Sequence, residues 1–387
     1  MSDPVSDMAH SPVNTPMGAS FYPLGAGAVD HVRGPDREVG AVTCGGRFPW
    51  SPVRPVPALC LGSVCALPVL RPSSVPWDGR DCAQAPMRAD HCAGPVIAGP
   101  GRATGEWEDM WSGDELDLDA YLERIGYEGA GRELRPDLAT LKEVHRAHTG
   151  AITFESLDVL LGRPVALDVK AVEDKLVRSG RGGYCYEQNS LLAAALERIG
   201  FEVSGRGARN RTRGDSLLAV THAVLVATVE GEPWLCDAGF GYQGPREPVP
   251  LGRPGPEIRQ GEWTYRVREE EDGILALSLL REGAWRDLYA FSPQQYHPVD
   301  YVLLNHYSSS HPRSSFVGQV VVQHPGDKAR TRRALVGREL TRIHPDGRIE
   351  REGVGSGRLL DVLAQEFGIR LPERDAAELV RIQRAGD

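Results

Sequence analysis

The sequence predicts an α+β protein: helices first, then antiparallel β structure for which a barrel is a natural closure, then helices again. Three observations carry this. Residues 114 to 200 repeat apolar side chains at helical spacing. Residues 201 to about 300 change to a period near two between turn signals. Residues 358 to 367 and 373 to 384 return to helix. Where the first two regions meet, a glycine turn runs straight into a helix that begins with a cysteine.

At 387 residues the chain is long enough for two or three domains with real cores. Its 25% charged and 41% hydrophobic residues are ordinary for a soluble globular protein. A formal net charge of -9 argues against a nucleic-acid binder, whose footprint is basic. No apolar run approaches the roughly 20 residues that span a bilayer; the longest, residues 58 to 70, is broken by Gly62 and Pro68. Cys44, Cys60, Cys65, Cys82 and Cys92 fall in the first 109 residues, and only Cys185 and Cys236 lie beyond. Their spacings fit no Cys-x-x-Cys pattern, and the N-terminus shows no charged start followed by an apolar core. Both observations indicate a reducing, cytoplasmic setting.

Residues 1 to 112 read as a Pro/Gly-rich, disordered extension. The first 109 residues hold 15 of the 29 prolines and no lysine. Runs such as Ser51-Pro52-Val53-Arg54-Pro55 cannot form helix or sheet interiors. A natural extension and a start-site artefact compete as explanations. The second is favoured because Met110 is the last methionine and the recognisable protein begins a few residues later.

Asp119 is the expected cap of a first helix that stops at Gly126. Pro136 suits the first residue of a second helix, whose Leu138, Leu141, His145 and His148 share one face. His145 and His148 lack a third ligand at metal spacing, so packing is the expected role. Residues 169 to 179 read as a helix feeding the glycine turn. The next helix carries Leu191, Leu192, Leu196 and Ile199 on its apolar face and ends at Gly200. Residues 217 to 229 and 234 to 237 read as strands joined across Glu230-Gly231-Glu232-Pro233. Asp272-Gly273 and Asp346-Gly347 mark two further hairpins.

The chemistry starts at Arg181-Gly182-Gly183-Tyr184-Cys185-Tyr186-Glu187-Gln188-Asn189. A cysteine at a helix start meets unpaired N–H groups and the positive end of the helix dipole, which favour the thiolate. Gly182 and Gly183 let the backbone turn tightly and a substrate approach. Taken alone, one cysteine on an Ala/Leu helix is more simply a buried core thiol. The stretch, however, resembles the arylamine N-acetyltransferase signature Arg-Gly-Gly-x-Cys-x-Glu-x-Asn at all six fixed positions.

Further stretches are similar to the same family. Phe154-Glu155-Ser156-Leu157-Asp158 resembles its Phe-Glu-Asn-Leu-Asp run, with Ser156 for asparagine and Thr153 for the preceding proline. Thr221-His222 and Asp237-Ala238-Gly239-Phe240-Gly241 stand where the family has its catalytic histidine and aspartate. Residues 305 to 316 resemble its interdomain stretch. The resemblance implies a helical bundle (113–200) bearing Cys185, a β-barrel (201–304) bearing His222 and Asp237, and an α/β lid (305–387). It implies a papain-like triad: Cys185 as nucleophile, His222 as base, Asp237 orienting the imidazole. It also implies ping-pong transfer from acetyl-CoA to arylamines, arylhydrazines or N-hydroxyarylamines, with no metal.

By the same resemblance Thr221, Gly239, Phe240, Gly241 and Tyr307 contact the donor, and Phe154 and Phe240 line the acceptor pocket. For Phe154 the competing reading is plain core packing. The Cys185 N–H is the expected oxyanion donor. The alternatives are a polyketide chain-releasing amide synthase of the same fold, a cysteine peptidase, and a catalytically dead binding protein. The partner is a small molecule, with neither nucleic acid nor membrane, and the oligomeric state is left open.

One expectation works against the triad. A hairpin pairing Val229 with Trp234 sets Asp237 opposite Val226, four residues from His222. At about 3.3 Å per residue that is roughly 13 Å, so a bulge or bend is required. Cys236 is expected on the opposite face from Asp237, in the barrel core or solvent.

Overall fold

The computed structural model describes residues 110–129, 133–214, 216–252, 255–326 and 331–385. The expectations for residues 1 to 109, five cysteines among them, lie outside these.

The helical part comprises α1 (Leu118–Ile125), α2 (Leu138–Ala151), α3 (Leu157–Leu160), α4 (Val169–Glu173) and α5 (Cys185–Ile199), with strand β1 (Phe154–Glu155) after α2. The cap of α1 is Asp117, not Asp119: its carboxylate accepts from the Ala120 N–H at 3.1 Å. Likewise Asp137 caps α2 through Thr140, which leaves Pro136 outside the helix. In both cases a carboxylate three residues before a free N–H overrides the simpler cue. The expected helix over 169 to 179 is α4 followed by a wider turn, Asp174–Arg178, closed by Ser179 N–H to the Asp174 carbonyl. Nearly every residue of α5 is buried, Glu187, Gln188 and Asn189 of its first turns included, so it is a buried helix rather than an amphipathic one. Its end is fixed by Gly200 at φ 105°.

Eight strands form one antiparallel sheet: β2 (Glu202–Asn210), β3 (His222–Val229), β4 (Glu232–Cys236), β5 (Val249–Pro250), β6 (Ile258–Gln260), β7 (Trp263–Glu269), β8 (Leu275–Arg281) and β9 (Ala284–Tyr296). Their order is β5-β4-β3-β2-β9-β8-β7-β6, and the sheet curls into a nearly closed barrel. The Gln260 side chain stitches the two edges. Its carbonyl accepts from the N–H groups of Arg246 and Glu247, and its amide donates to the Glu247 carbonyl. Period-two alternation sorts the side chains. Val224, Leu235, Tyr265, Leu277 and Tyr289 fill the barrel, whereas Ala223, Leu225, Ala227 and Cys236 face α5.

After the barrel come α6 (Pro298–Ser310), strands β10 (Val321–His324), β11 (Arg332–Val336), β12 (Glu339–Ile343) and β13 (Ile349–Gly353), and helices α7 (Leu359–Phe367) and α8 (Glu373–Ala385). The second sheet runs β1-β10-β11-β12-β13, so its first strand comes from the helical region, and α7 and α8 pack with its core. Arg332 of β11 is buried and donates to the carbonyls of Tyr242 and Gly244 and to the Tyr265 hydroxyl. Among the described residues, no helix is long and apolar enough to cross a membrane.

Candidate active site

The glycine turn is held by a buried ionic cluster. Arg181 meets Glu155 at 2.7 Å and Asp158 at 3.2 Å, while Lys175 meets Asp158 and Glu187, each at 2.6 Å. This pairs the arginine and glutamate of the signature with the Phe154-Glu155 stretch. Burial pushes the Glu187 carboxyl up to about 7, against the pull of the Lys175 ammonium. The same carboxylate accepts the Tyr184 N–H at 3.1 Å and so caps α5. The two glycines serve packing rather than access. A Cβ on Gly182 would lie 1.9 Å from the Thr153 carbonyl oxygen, and one on Gly183 2.7 Å from the Glu187 carboxylate.

Cys185 is therefore the first residue of a capped, buried helix, and its thiol faces the Thr221 carbonyl at 3.9 Å. His222 starts β3 at the barrel mouth, 6% exposed. Its Nε2 bonds the Asp237 Oδ2 at 2.8 Å, which leaves Nδ1 free of Asp237, and the Cys185 sulfur lies beside the same ring. Burial alone would pull this imidazole down. The Asp237 charge, its hydrogen bond and the Cys185 sulfur together outweigh burial and raise it to about 10. For Asp237, burial pushes up, and the His222 charge with the bonds from His222, Asn189 and Gly239 N–H holds it below the usual carboxylate range.

The register objection disappears without a bulge at this hairpin. The turn is the two-residue Glu230-Gly231, both at positive φ (53° and 83°), and Val229 pairs Glu232. Leu225 then pairs Cys236, so Asp237 comes opposite Val224, two residues from His222 on the same face. That diagonal is within reach of an imidazole and a carboxylate. The sheet's register shifts lie instead between β2 and β9 and between β8 and β9. Strand β3 begins at His222 rather than at 217. Cys236 does face away from Asp237, but under α5, neither in the barrel nor in solvent; burial raises its thiol. Both described cysteines are free thiols.

Several residues that sequence reasoning left without a role complete the site. Asn189, one turn after Cys185, donates to the Ala223 carbonyl (2.7 Å) and to Asp237 Oδ1 (3.1 Å), and accepts the Ala238 N–H (2.9 Å). Its i, i+4 spacing from Cys185 was the available signal. His148, expected in packing, is buried and bonded to Tyr121 and Gln188, and burial lowers it to about 3. His145 does more than pack: its Nε2 accepts the Asp237 N–H at 3.0 Å. Tyr289 of β9 lies 5.0 Å from the imidazole, ring to ring, and burial together with the Asp237 charge raises its hydroxyl.

Of the other expected site residues, Gly239 packs directly on Cys185. A Cβ there would lie 2.5 Å from Cys185 Cα. Phe240 sets its ring edge-on to His222 at 5.2 Å, and Gly241 packs on Gln323 of β10. Phe154 is buried against Phe316 at 5.9 Å, and Phe316 in turn meets Tyr184 at 5.5 Å. Tyr307, half-buried on α6, stacks on His311 rather than on a triad side chain. Among the described residues, no group of three His, Cys, Asp or Glu side chains is placed to hold a metal ion.

Known proteins resemble this chain in sequence and in fold. The family model described as N-acetyltransferase matches residues 137–376. An arylamine N-acetyltransferase of Mycolicibacterium smegmatis is 40% identical over 264 residues, 66% of this chain and 93% of that protein. The solved arylamine N-acetyltransferase from Mycobacterium abscessus aligns with TM-score 0.67 and 34% identity, covering 71% of this chain and 98% of its own. The Mycobacterium marinum enzyme solved with CoA gives 0.63 and 34%, covering 69% and 99%. The signature helix, the barrel and the second sheet are thus those of a known acyltransferase fold, and the chain belongs to the arylamine N-acetyltransferase family.

Proposed function

We propose that Cys185, His222 and Asp237 are the catalytic residues of a ping-pong transfer from acetyl-CoA to an arylamine, arylhydrazine or N-hydroxyarylamine. The observation that carries this is the bond from His222 Nε2 to Asp237 at 2.8 Å, with the other ring nitrogen left to a cysteine at a helix start. The Cys185 thiolate attacks the thioester carbonyl, and the Cys185 N–H supports the oxyanion. The tetrahedral species expels the CoA thiolate, which takes a proton from His222. In the second half the acceptor nitrogen attacks acetyl-Cys185, His222 takes its proton, and the Cys185 thiolate leaves.

The CoA complex of the M. marinum relative supports the donor assignment. Thr221, Gly239 and Phe240 lie against Cys185 or His222 and are assigned to the donor, with Gly241 and Tyr307 carried on resemblance alone. Phe240, edge-on to His222, is assigned to the aryl acceptor as well, and Phe154 is carried to the acceptor on resemblance, since its ring packs in the core against Phe316.

Intact-mass spectrometry after mixing with acetyl-CoA, without acceptor, tests this. One acetyl group on Cys185, cleared by an arylamine, is the expected result, and Cys185→Ser and Cys185→Ala abolish turnover. A folded protein with a reactive Cys185 but no adduct overturns the acetyl-CoA assignment in favour of another acyl donor, such as a carrier-bound polyketide.

A further inference from the structure

We propose that His145 is a positioning residue for Asp237, acting as a neutral prop that supplies the hydrogen bond where strand β4 runs out. This rests on the reading of Asp237 as the group that orients His222.

Strand pairing in β4 ends at Cys236, so the Asp237 N–H has no ladder partner. Asp237 is 1% exposed, and a buried N–H without an acceptor is costly. His145, fully buried on α2, fills the gap: its Nε2 lies 3.0 Å from that N–H, and its Nδ1 lies 3.0 Å from the Arg246 carbonyl. A peptide N–H only donates and a carbonyl only accepts. Nε2 is therefore the bare nitrogen and Nδ1 carries the hydrogen. The imidazole is fixed as one neutral tautomer by its two backbone partners, with no freedom in the assignment.

The far end of this tether is itself anchored. The Arg246 N–H donates to Gln260, the Thr149 hydroxyl donates to the His145 carbonyl at 3.0 Å and also faces the Arg246 carbonyl, and Arg146 pairs with Glu247 at 2.9 Å. So α2 grips both the residue that bonds His222 and the segment that closes the barrel seam. Protonation would set an imidazolium N–H against the Asp237 N–H and break the prop. Burial opposes that, and the Arg246 charge adds to it. The Arg246 carbonyl and the Asp237 and Glu247 charges pull the other way, and His148 on the same helix is neutral. His145 touches Asp237 through the backbone, so its influence on chemistry passes through the direction of the Asp237 carboxylate.

The test compares His145→Leu, His145→Gln and Asp237→Asn in the full chain, each checked for folding by circular dichroism. Two quantities are read: the rate of Cys185 acetylation by acetyl-CoA, and the pH profile of Cys185 alkylation by iodoacetamide. In His145→Leu the acetylation rate falls by roughly tenfold or more, as expected when a catalytic group is misplaced. The KM for acetyl-CoA stays within about twofold, because nothing that binds the donor is removed. The alkylation profile moves with it. His145→Gln returns an acceptor near the lost Nε2 and recovers most of the rate. Wild-type acetylation and an unmoved profile in folded His145→Leu, with Asp237→Asn impaired, overturn the proposal and leave the triad standing. Equal losses in the Leu and Gln variants also overturn it. An unimpaired Asp237→Asn overturns the triad reading itself, and the prop with it.

Discussion

Asn189→Ala isolates what the last letter of the signature does. The side chain is 1% exposed and makes three hydrogen bonds: two donated, to the Ala223 carbonyl and to Asp237, and one accepted from the Ala238 N–H. Each neutral bond contributes about 1 kcal/mol net, and the one to a charged carboxylate about 1.5–3 kcal/mol. Alanine also leaves the Ala223 carbonyl and Ala238 N–H without their partner. The expected loss is therefore about 3–5 kcal/mol, a large share of the roughly 5–15 kcal/mol that holds a native protein together. Urea unfolding followed by circular dichroism measures it, and a double-mutant cycle with Asp237→Asn separates the charged bond. Asn189→Asp is a sharper companion. It keeps the shape but sets a second carboxylate where Nδ2 lay 3.1 Å from Asp237 Oδ1, so it is worse than alanine near neutrality and recovers in acid. A loss below about 1 kcal/mol in Asn189→Ala, the value of a single bond, would refute the view that this side chain ties α5 to the triad.

Further outcomes are expected from the same geometry. His222 is raised in the folded protein, so the stability from its pairing is full below the ordinary imidazole value of 6.5 and is lost as pH rises through about 10. Asp237 is lowered, so its share is full above the ordinary carboxylate value and is lost as pH falls through the folded one. Denaturant titrations of wild type and His222→Gln between pH 6 and 10 should converge as pH rises; a constant gap contradicts the pairing. Gly239→Ala drives a Cβ to 2.5 Å from Cys185 Cα, and backbone on both sides cannot yield cheaply. Its acetylation rate should drop at least about tenfold, and an unchanged single-turnover rate would count against that close approach. Trp111 is 3% exposed, stacks on Tyr301 at 6.0 Å and donates to the Val203 carbonyl, while its own N–H binds Glu197. Trp111→Ala should cost about 3–5 kcal/mol in urea unfolding, whereas removal of residues 1 to 109 should leave Cys185 acetylation intact.

What the sequence revealed, and what it hid, follows the distance over which each feature is decided. Helix α5 was legible end to end because its start, its apolar content and its Gly200 stop are all local. The hairpin at residues 346 to 347 closed where expected, with Ile343 opposite Ile349. Caps were misplaced by two residues at α1 because Asp117 and Asp119 both qualify as carboxylates before an apolar run. The choice between them depends on which N–H lies free in three dimensions, and here Asp117 is also pinned by Arg178 at 3.2 Å.

The site divides along the same line. Cys185, His222 and Asp237 were identifiable as residues, but their approach was not derivable, because the spacing turned on one turn. Glu230-Gly231 accommodates a two-residue reversal only with both residues at positive φ, and a non-glycine residue at φ 53° is what a local reading declines to assume. A shift of two residues in register moves Asp237 by about 7 Å along the strand and keeps its face, the difference between a hydrogen bond and none. His145, Asn189 and Tyr289 come from a helix, another helix and a strand that converge on Asp237 only once that register is set. Locally, His145 looks like packing, Asn189 is a signature position with no role attached, and Tyr289 carries no cue. Their polar atoms acquire partners from elements between 48 and 92 positions away in the two cases where the bonds are direct. A buried polar side chain on an apolar face is thus the trace that a sequence leaves of a long-range hydrogen bond, and it marks where to look without saying what will be found there.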